Sequence, residues 1–123
     1  MIAIRGATTI SQNTNEEIKT ASIELFQEIL LQNNLEASNI MSIFFSCTRD
    51  ITADYPGKYV REHYNLKTTT IMHYNEMYVE NALAMCIRIL ILVDDTIEDR
   101  EKIKFVYLRD AKNLRKDLYA DTF

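Results

Sequence analysis

The stretch "LAMCIRILILV" at residues 83–93 is an apolar run with one arginine, Arg88, inside it. Both neighbours of Arg88 are isoleucines, and β-branched residues are typical of strands. Because nearly every position is apolar, the run predicts a strand that is buried on both faces. An arginine stays protonated in a protein. Arg88 therefore needs a partner, either an ion pair with Glu76, Glu80 or an acidic turn residue, or an anionic ligand in a cleft.

The segments around this run predict a mixed sheet with one long helix. Thr14 and Glu17 form the pattern of a capping box, and the helical spacing of apolar residues that follows ends near 32–34. A short helix is predicted from Pro56, since proline suits the first helical turn. Alternating or β-rich segments predict the other strands, at residues 2–5, 41–47, 68–74 and 103–108.

This order of elements predicts an α/β (α+β) fold with a mixed five-stranded sheet. One long helix cannot cover both faces of five strands. If the strand at 86–93 is buried on both faces, something outside the chain's own long helix must cover one of them. A second copy of the chain is the simplest cover, so the sequence predicts an oligomer.

Length and composition indicate one domain, residues 1–123, of ordinary globular composition. The net charge of −4 and the lack of a basic run argue against nucleic-acid binding. Cys47 and Cys86 form no CxxC pair, and two free thiols without a signal peptide predict a reducing, cytoplasmic location. The apolar run is too short to span a membrane. The two glycines, Gly6 and Gly57, are far apart in the chain, so neither GxGxxG nor a P-loop can occur.

The candidate functional residues are cations and hydrogen-bonding groups, each with a structural alternative. Arg5 and Arg115 could simply face solvent. Lys58 and Arg61 share a helix face that could also be solvated. Glu76 could pair with Arg88 or accept a ligand hydroxyl, and Tyr107 could be a packing residue. His63 and His73 have no metal-binding spacing. Such a set suits an anion-binding module, or a reaction that needs only orientation and charge stabilisation.

Six segments, in order, resemble the AroH-type chorismate mutases, whose pattern reads roughly IRGATT, FPAKAVRE, QEMDV, CIRVMM, VYL and LRPDL. The segments in this chain are IRGATT at 4–9, YPGKYVRE at 55–62, NEMYV at 75–79, CIRILILV at 86–93, VYL at 106–108 and LRKDL at 114–118.

The resemblance implies a homotrimer with a pseudo α/β-barrel and active sites at the subunit interfaces. It implies an isomerase that converts chorismate to prephenate, on the route to phenylalanine and tyrosine. This Claisen rearrangement breaks one C–O bond as a C–C bond forms. It requires no covalent intermediate, metal or organic cofactor.

The resemblance also implies roles for matching residues. Arg88 would face the ether oxygen, where negative charge grows, and Glu76 would bind the ring hydroxyl. The substrate carboxylates would meet Arg5 and Tyr107. The other implied substrate-binding residues are Tyr55, Lys58 and Arg61 around the mouth of the site, His73, and Leu114 and Arg115 of the tail, where Arg115 closes over the ligand.

Three departures from the family pattern bear on the site. His73 stands where the pattern has a cysteine that contacts the substrate hydroxyl, so this contact is expected to be rearranged and sensitive to pH. Lys116 replaces a proline in the tail, and Gly57 replaces an alanine. Two other functions remain open: a trimeric imine deaminase of similar fold, and a carboxylate-binding module without turnover.

Overall fold

In the computed structural model of the chain, five strands form one mixed sheet and two helices pack on it. The structure describes residues 1–94 and 100–118, with side chains up to residue 115. The elements are β1 (Ile2–Thr9), α1 (Asn15–Gln32), β2 (Ile40–Cys47), α2 (Pro56–Tyr64), β3 (Thr70–Asn75), β4 (Cys86–Val93) and β5 (Val106–Tyr107). Short 3₁₀ segments cover Ala37–Asn39, Arg100–Lys102 and Arg109–Leu118.

The strand predicted from residues 86–93 is β4, and it lies at the centre of the sheet. The strand order is β3-β2-β4-β1-β5. β4 runs antiparallel to both neighbours, with Ile91 opposite Ile4 of β1 and Ile43 of β2. The outer strands pair in parallel, β3 with β2 and β5 with β1. The mixed five-stranded sheet predicted from the sequence is therefore confirmed.

Both helices lie on one face of the sheet. α1 connects β1 to β2 and α2 connects β2 to β3, and both crossovers move in the same direction along the sheet. Right-handed crossovers in one direction place their helices on the same side, and the two helices contact each other. The opposite side, which carries Arg5, Phe44, Tyr74, Arg88 and Leu90, is called the open face below.

The core fills the space between the sheet and the helices. Its fully buried members include Ile4, Phe45, Ile87 and Ile91 from the sheet and Leu25, Phe26 and Ile29 from α1. Along β4 the burial alternates, because Arg88, Leu90 and Leu92 on the open face are only half-buried. Burial of this strand on both faces, as the sequence predicts, is thus not achieved within one chain.

The start of α1 follows the predicted cap in part. The Thr14 hydroxyl accepts a hydrogen bond from the Glu17 N–H at 3.2 Å. In a full capping box the Glu17 carboxylate would return a bond to the N–H of Thr14. It instead accepts hydrogen bonds from the N–H and hydroxyl of Ser11. The helix therefore begins where predicted, but the Glu17 carboxylate bonds to Ser11, three residues before the N-cap Thr14.

The last strand is shorter than the predicted 103–108. Only Val106 and Tyr107 pair with β1. The backbone of Lys104 is occupied elsewhere, because Asn33 accepts its N–H at 2.8 Å and donates to its carbonyl at 2.9 Å. A side chain at the end of α1 thus replaces a strand partner, so the ladder starts later than composition suggests.

Two sequence expectations lie outside the described residues. The predicted acidic turn near 94–102 falls largely on residues 95–99, and the Lys116 side chain is also outside. Among the described residues, no helix has the length and apolarity needed to cross a bilayer.

Gly6→Ala is expected to lower the free energy of unfolding by about 1–3 kcal/mol, as overpacking of a core does. A Cβ at this position would lie 2.7 Å from the carbonyl oxygen of Val106 and 3.1 Å from Ile29 Cδ1. Urea unfolding measures the loss. Thr20→Ala, at an exposed position of α1, is the control and should change stability by less than about 0.5 kcal/mol. Equal stability of the two variants would contradict this account of the β1–β5 approach.

Candidate active site

Arg88 projects from the middle of the sheet onto the open face. Its neighbours across the two ladders are Ala7 of β1 and Ser46 of β2. Both side chains are short, so the guanidinium has room between them. The Arg88 side chain remains 42% exposed in the single chain. The cation that interrupts the apolar run is therefore absent from the helix-covered core.

Glu76 is the direct partner of Arg88. Its Oε1 accepts a hydrogen bond from Arg88 Nη1 at 2.7 Å, and its Oε2 accepts one from the Ser46 hydroxyl. Burial alone would raise the pKa of Glu76, but the bonds from Ser46 and Arg88 and the Arg88 charge outweigh it and lower that pKa. Burial would lower the pKa of Arg88, and Glu76 reverses this effect and raises it. Both groups are charged at neutral pH.

The ion pair leaves Arg88 able to meet a ligand. A guanidinium has five N–H donors, and Arg88 borders two adjoining cavities on the open face. One, of about 340 Å³, is lined by Arg5, Phe44, Tyr74, Leu90 and Tyr107 as well as Arg88. The other, of about 420 Å³, is lined by Glu76, Arg49, Tyr78 and Leu114 among others. Arg88 thus stands where a ligand in either cavity would touch it.

Two further predicted cations gather near these cavities. The guanidinium carbons of Arg5 and Arg115 lie 5.5 and 5.9 Å from the ring centre of Phe105. Cation–π attraction of this kind holds the arginines near the ring despite their like charge. Tyr107 is buried beside Cys86 and Ala7, as the sequence predicts for a packing tyrosine, and it also borders the cavity of Arg5. The structure therefore brings together Arg5, Glu76, Arg88, Tyr107, Leu114 and Arg115.

The remaining predicted residues form a second group around α2. Lys58 Nζ is 3.2 Å from Asp54 Oδ2, and the Tyr55 ring centre is 5.0 Å from that of His73. His73 and the neighbouring Ile71 face α2, on the helix-covered side of the sheet. The Glu76 carboxylate lies on the open face, where it contacts Arg88. Within one chain, His73 therefore does not share a pocket with Glu76.

Sequence reasoning missed two residues of the site. Ser46 faces Arg88 across the ladder and holds Glu76. The alternation of β2 places Ser46 on the face of Phe44, but the register with β4 cannot be read from the sequence. Arg49 stacks on Tyr78 with its guanidinium carbon 3.7 Å from the ring centre and borders the larger cavity. Its position in a polar connection carried no signal.

The site holds fixed cations beside small cavities. Among the described residues, no three His, Cys, Asp or Glu side chains are grouped as metal ligands. This geometry suits a protein of the class that binds a small organic anion and acts on it by charge and position.

The family is given by comparison with known proteins. The family model for chorismate mutase type I matches residues 1–118. The chorismate mutase AroH of Bacillus subtilis (strain 168) is 33% identical over 115 residues, with 94% of this chain and 90% of the relative covered. That of Thermus thermophilus is 33% identical over 117 residues, covering 94% and 93%. This chain therefore belongs to the type I, or AroH, family of chorismate mutases.

A solved structure gives the same result for the fold. The chorismate mutase from Clostridium thermocellum Cth-682 superposes with a TM-score of 0.86 at 40% sequence identity, and the match covers 92% of this chain and 99% of that one. The resemblance found from six short segments is thus confirmed along nearly the whole described chain.

Ser46→Ala is expected to raise the pKa of Glu76 and to cost about 1.5–3 kcal/mol of stability at neutral pH, since one hydrogen bond to a charged group is lost. The lowered pKa of Glu76 stabilises the fold above its ordinary value of 4.5, and this stabilisation is lost as pH falls through the folded-state pKa. Carboxyl ¹³C titration by NMR measures the shift.

Ser42→Ala is the matched control for this prediction. Ser42 lies on the same strand and shares a hydrogen bond of 2.7 Å with the Thr70 hydroxyl. Its removal should leave the pKa of Glu76 unchanged. If both variants shift this pKa equally, Ser46 does not hold the carboxylate.

Proposed function

We propose that this protein, as a member of the chorismate mutase family, converts chorismate to prephenate at a site centred on Arg88. The observation that carries the proposal is the placement of Arg88 between Ala7 and Ser46, held by Glu76 and bordering two cavities. This isomerisation serves the synthesis of phenylalanine and tyrosine. We place the protein in the cytoplasm, as its two free thiols suggest.

The residues of the site act by orientation and charge. Chorismate carries two carboxylates, a hydroxyl and the ether bond that breaks. As the C–O bond breaks and the C–C bond forms, negative charge grows on the ether oxygen. A cation already fixed at that point binds the transition state more strongly than the substrate. Arg88 supplies the cation, and Glu76 orients its guanidinium and accepts the substrate hydroxyl proton in a hydrogen bond. No proton is transferred in the reaction.

The substrate carboxylates are held by the other cationic and hydroxyl groups of the open face. Arg5 borders the cavity of Arg88 and Tyr107, so a carboxylate there meets a planar donor fork. Arg115, drawn towards Phe105, closes the site from the tail, and Leu114 borders the larger cavity. With both ends held, the substrate loses its rotational freedom on binding and is kept in a reactive conformation.

We also propose that the active protein is a homotrimer and that each site is shared by two subunits. The open face leaves Met72 and Tyr74 about half exposed, at 52% and 50%, and β4 adds the half-buried Leu90 and Leu92 beside Arg88 on this side. A second subunit would cover this surface. It would also bring its own Tyr55, Lys58, Arg61 and His73 to the Arg88 of its neighbour, which the single chain does not do.

The two alternatives differ in what they predict for chorismate. The imine deaminase alternative lost its support when the family was established from residues 1–118. A binding module without turnover would retain the arginines and leave chorismate intact. The deciding experiment follows the loss of chorismate absorbance with purified protein and identifies the product. Intact chorismate at every pH tested, from acid to alkaline, would refute the proposal.

Arg88→Ala is expected to lower kcat/KM about a hundredfold to a thousandfold, as the loss of one donor to a developing oxyanion does. The trimer should persist, with three times the 14.4 kDa mass of the chain in sedimentation. Arg100→Ala is the control, because Arg100 is exposed and lines neither cavity beside Arg88. It should leave kcat/KM unchanged. If Arg88→Ala unfolds the protein, the arginine is structural and the Glu76 pair is its purpose.

Subunit mixing tests the shared site. Arg88→Ala and the double variant Lys58→Ala/Arg61→Ala are each expected to be impaired in kcat/KM. When the two are unfolded together and refolded as a mixture, some interfaces combine an intact Arg88 with an intact α2 from the neighbour. The activity of the mixture should then exceed the mean of the two parents. Activity equal to that mean would indicate that each chain builds its own site.

A further inference from the structure

The helix α2 begins without a cap of its own. Its N-cap residue, Tyr55, makes no side-chain capping bond. The next residue, Pro56, has no N–H to satisfy. The first N–H that needs an acceptor is therefore that of Gly57, and it donates to His73 Nε2 of β3 at 2.9 Å. A residue of a neighbouring strand thus does what a serine or aspartate ordinarily does at a helix start.

This hydrogen bond defines the chemical form of His73. Nε2 can accept only if it carries no proton, so the proton of the neutral ring is on Nδ1. The ring is also held in place by stacking: its centre lies 5.5 Å from that of Phe45, with an angle of 12° between the planes. The imidazole is therefore fixed in orientation, tautomer and charge.

The same contact requires glycine at position 57. A Cβ there would lie 2.8 Å from His73 Nε2 and 2.6 Å from Ile71 Cγ2. The backbone can approach the ring only because this carbon is missing. Gly57 and His73 are two of the three departures from the family pattern that were named above as bearing on the site. The structure shows them in contact, so they form one coupled change.

We propose that His73 is a positioning residue, whose neutral Nδ1–H tautomer caps α2 and so fixes the basic groups that this helix carries. Lys58 and Arg61 lie on the first two turns of α2, directly after the capped N–H. The consequence for substrate binding rests on the proposed function, since it requires these two residues to belong to the active site. The cap itself does not.

The cap makes the start of α2 sensitive to acid. Protonation of Nε2 removes the acceptor and sets a cation against the N–H of Gly57, at the positive end of the helix dipole. Burial first, and then the charge of Arg61 on α2, lower the pKa of His73. The other side chains against the ring are the uncharged Tyr55, Phe45 and Ile71.

The sign of the pH effect follows from this shift. The unfolded chain takes up a proton on this histidine near pH 6.5, while the folded chain does so at lower pH. The stabilisation from the neutral cap is therefore complete above pH 6.5 and is lost as pH falls from there through the folded-state pKa. The affinity for substrate should weaken over the same range, as the start of α2 loosens.

Nitrogen NMR tests the cap without any assay of turnover. The chain has two glycines and two histidines, so ¹⁵N-labelling of these two residue types gives a short spectrum. We expect a coupling across the hydrogen bond between the amide nitrogen of Gly57 and Nε2 of His73, and an Nε2 shift typical of an unprotonated nitrogen. A proton on Nε2 at neutral pH, or rapid exchange of the Gly57 amide with no coupling, would overturn the proposal.

Two variants of His73 test its effect on the site. His73→Phe keeps an aromatic ring and removes the acceptor, and we expect KM to rise about tenfold with a smaller change in kcat, the value of one hydrogen bond. His73→Gln offers an acceptor that does not titrate, so the rise in KM on acidification should disappear. His63→Gln changes the other histidine, which is exposed on α2, and should leave the acid dependence intact.

The outcomes separate the two proposals. An unchanged KM and an unchanged exchange rate of the Gly57 amide in His73→Phe would refute the positioning role, even if the enzyme is active. If the Gly57–His73 coupling is present but the wild-type protein does not convert chorismate, the cap stands and the proposed function fails.

Discussion

The ion pair between Arg88 and Glu76 is the interaction around which the open face is organised. Arg88 comes from the central strand, and Glu76 follows the edge strand β3, so the pair spans β2 through the hydroxyl of Ser46. A half-buried cation without a fixed partner would move or draw in solvent. With Glu76 in place, the guanidinium keeps one orientation before any ligand arrives, and in the proposed reaction this preorganisation is the source of its electrostatic effect.

The two helices complete this arrangement from the other side of the sheet. Because both crossovers run in the same direction, α1 and α2 cover the same face, while on the open face the 3₁₀ segment Arg109–Leu118 packs beside Ala7 and Cys86. The apolar residues of β4 on the open face are therefore surface in one chain. A single chain buries the apolar residues on the helix-covered face of the sheet. The proposed trimer would bury those on the open face, which is also where the proposed site lies.

Local signals in the sequence predicted most of the elements, and pairing decided the rest. Thr14, Pro56 and the run 86–93 act through their immediate neighbours, and they marked α1, α2 and β4 closely. The length of β5 depended on Asn33, a distant residue whose amide replaces a strand. The role of Ser46 depended on register, which no local pattern contains. The sequence does indicate which face each side chain of β3 and of the residue after it points to. Residues 73 and 76 are three apart in an extended segment, so their side chains face opposite sides of the sheet. Contact of both residues with one substrate hydroxyl therefore stays a prediction, and the structure does not show such a contact within one chain.

The position of β4 also bears on how the chain acquires its structure. Ile2 at one end of β1 is opposite Val93 at the end of β4, and β4 is the strand that joins β1 to β2 in the sheet. β2 can pair with β3 before β4 is synthesised, but β1 has no strand to pair with until about three-quarters of the chain has left the ribosome. Contacts of such long range slow folding, because loop closure precedes any gain from pairing. The strand that joins the two halves of the sheet also carries Arg88, so the same pairing event that links β1 to β2 sets this guanidinium between Ala7 and Ser46.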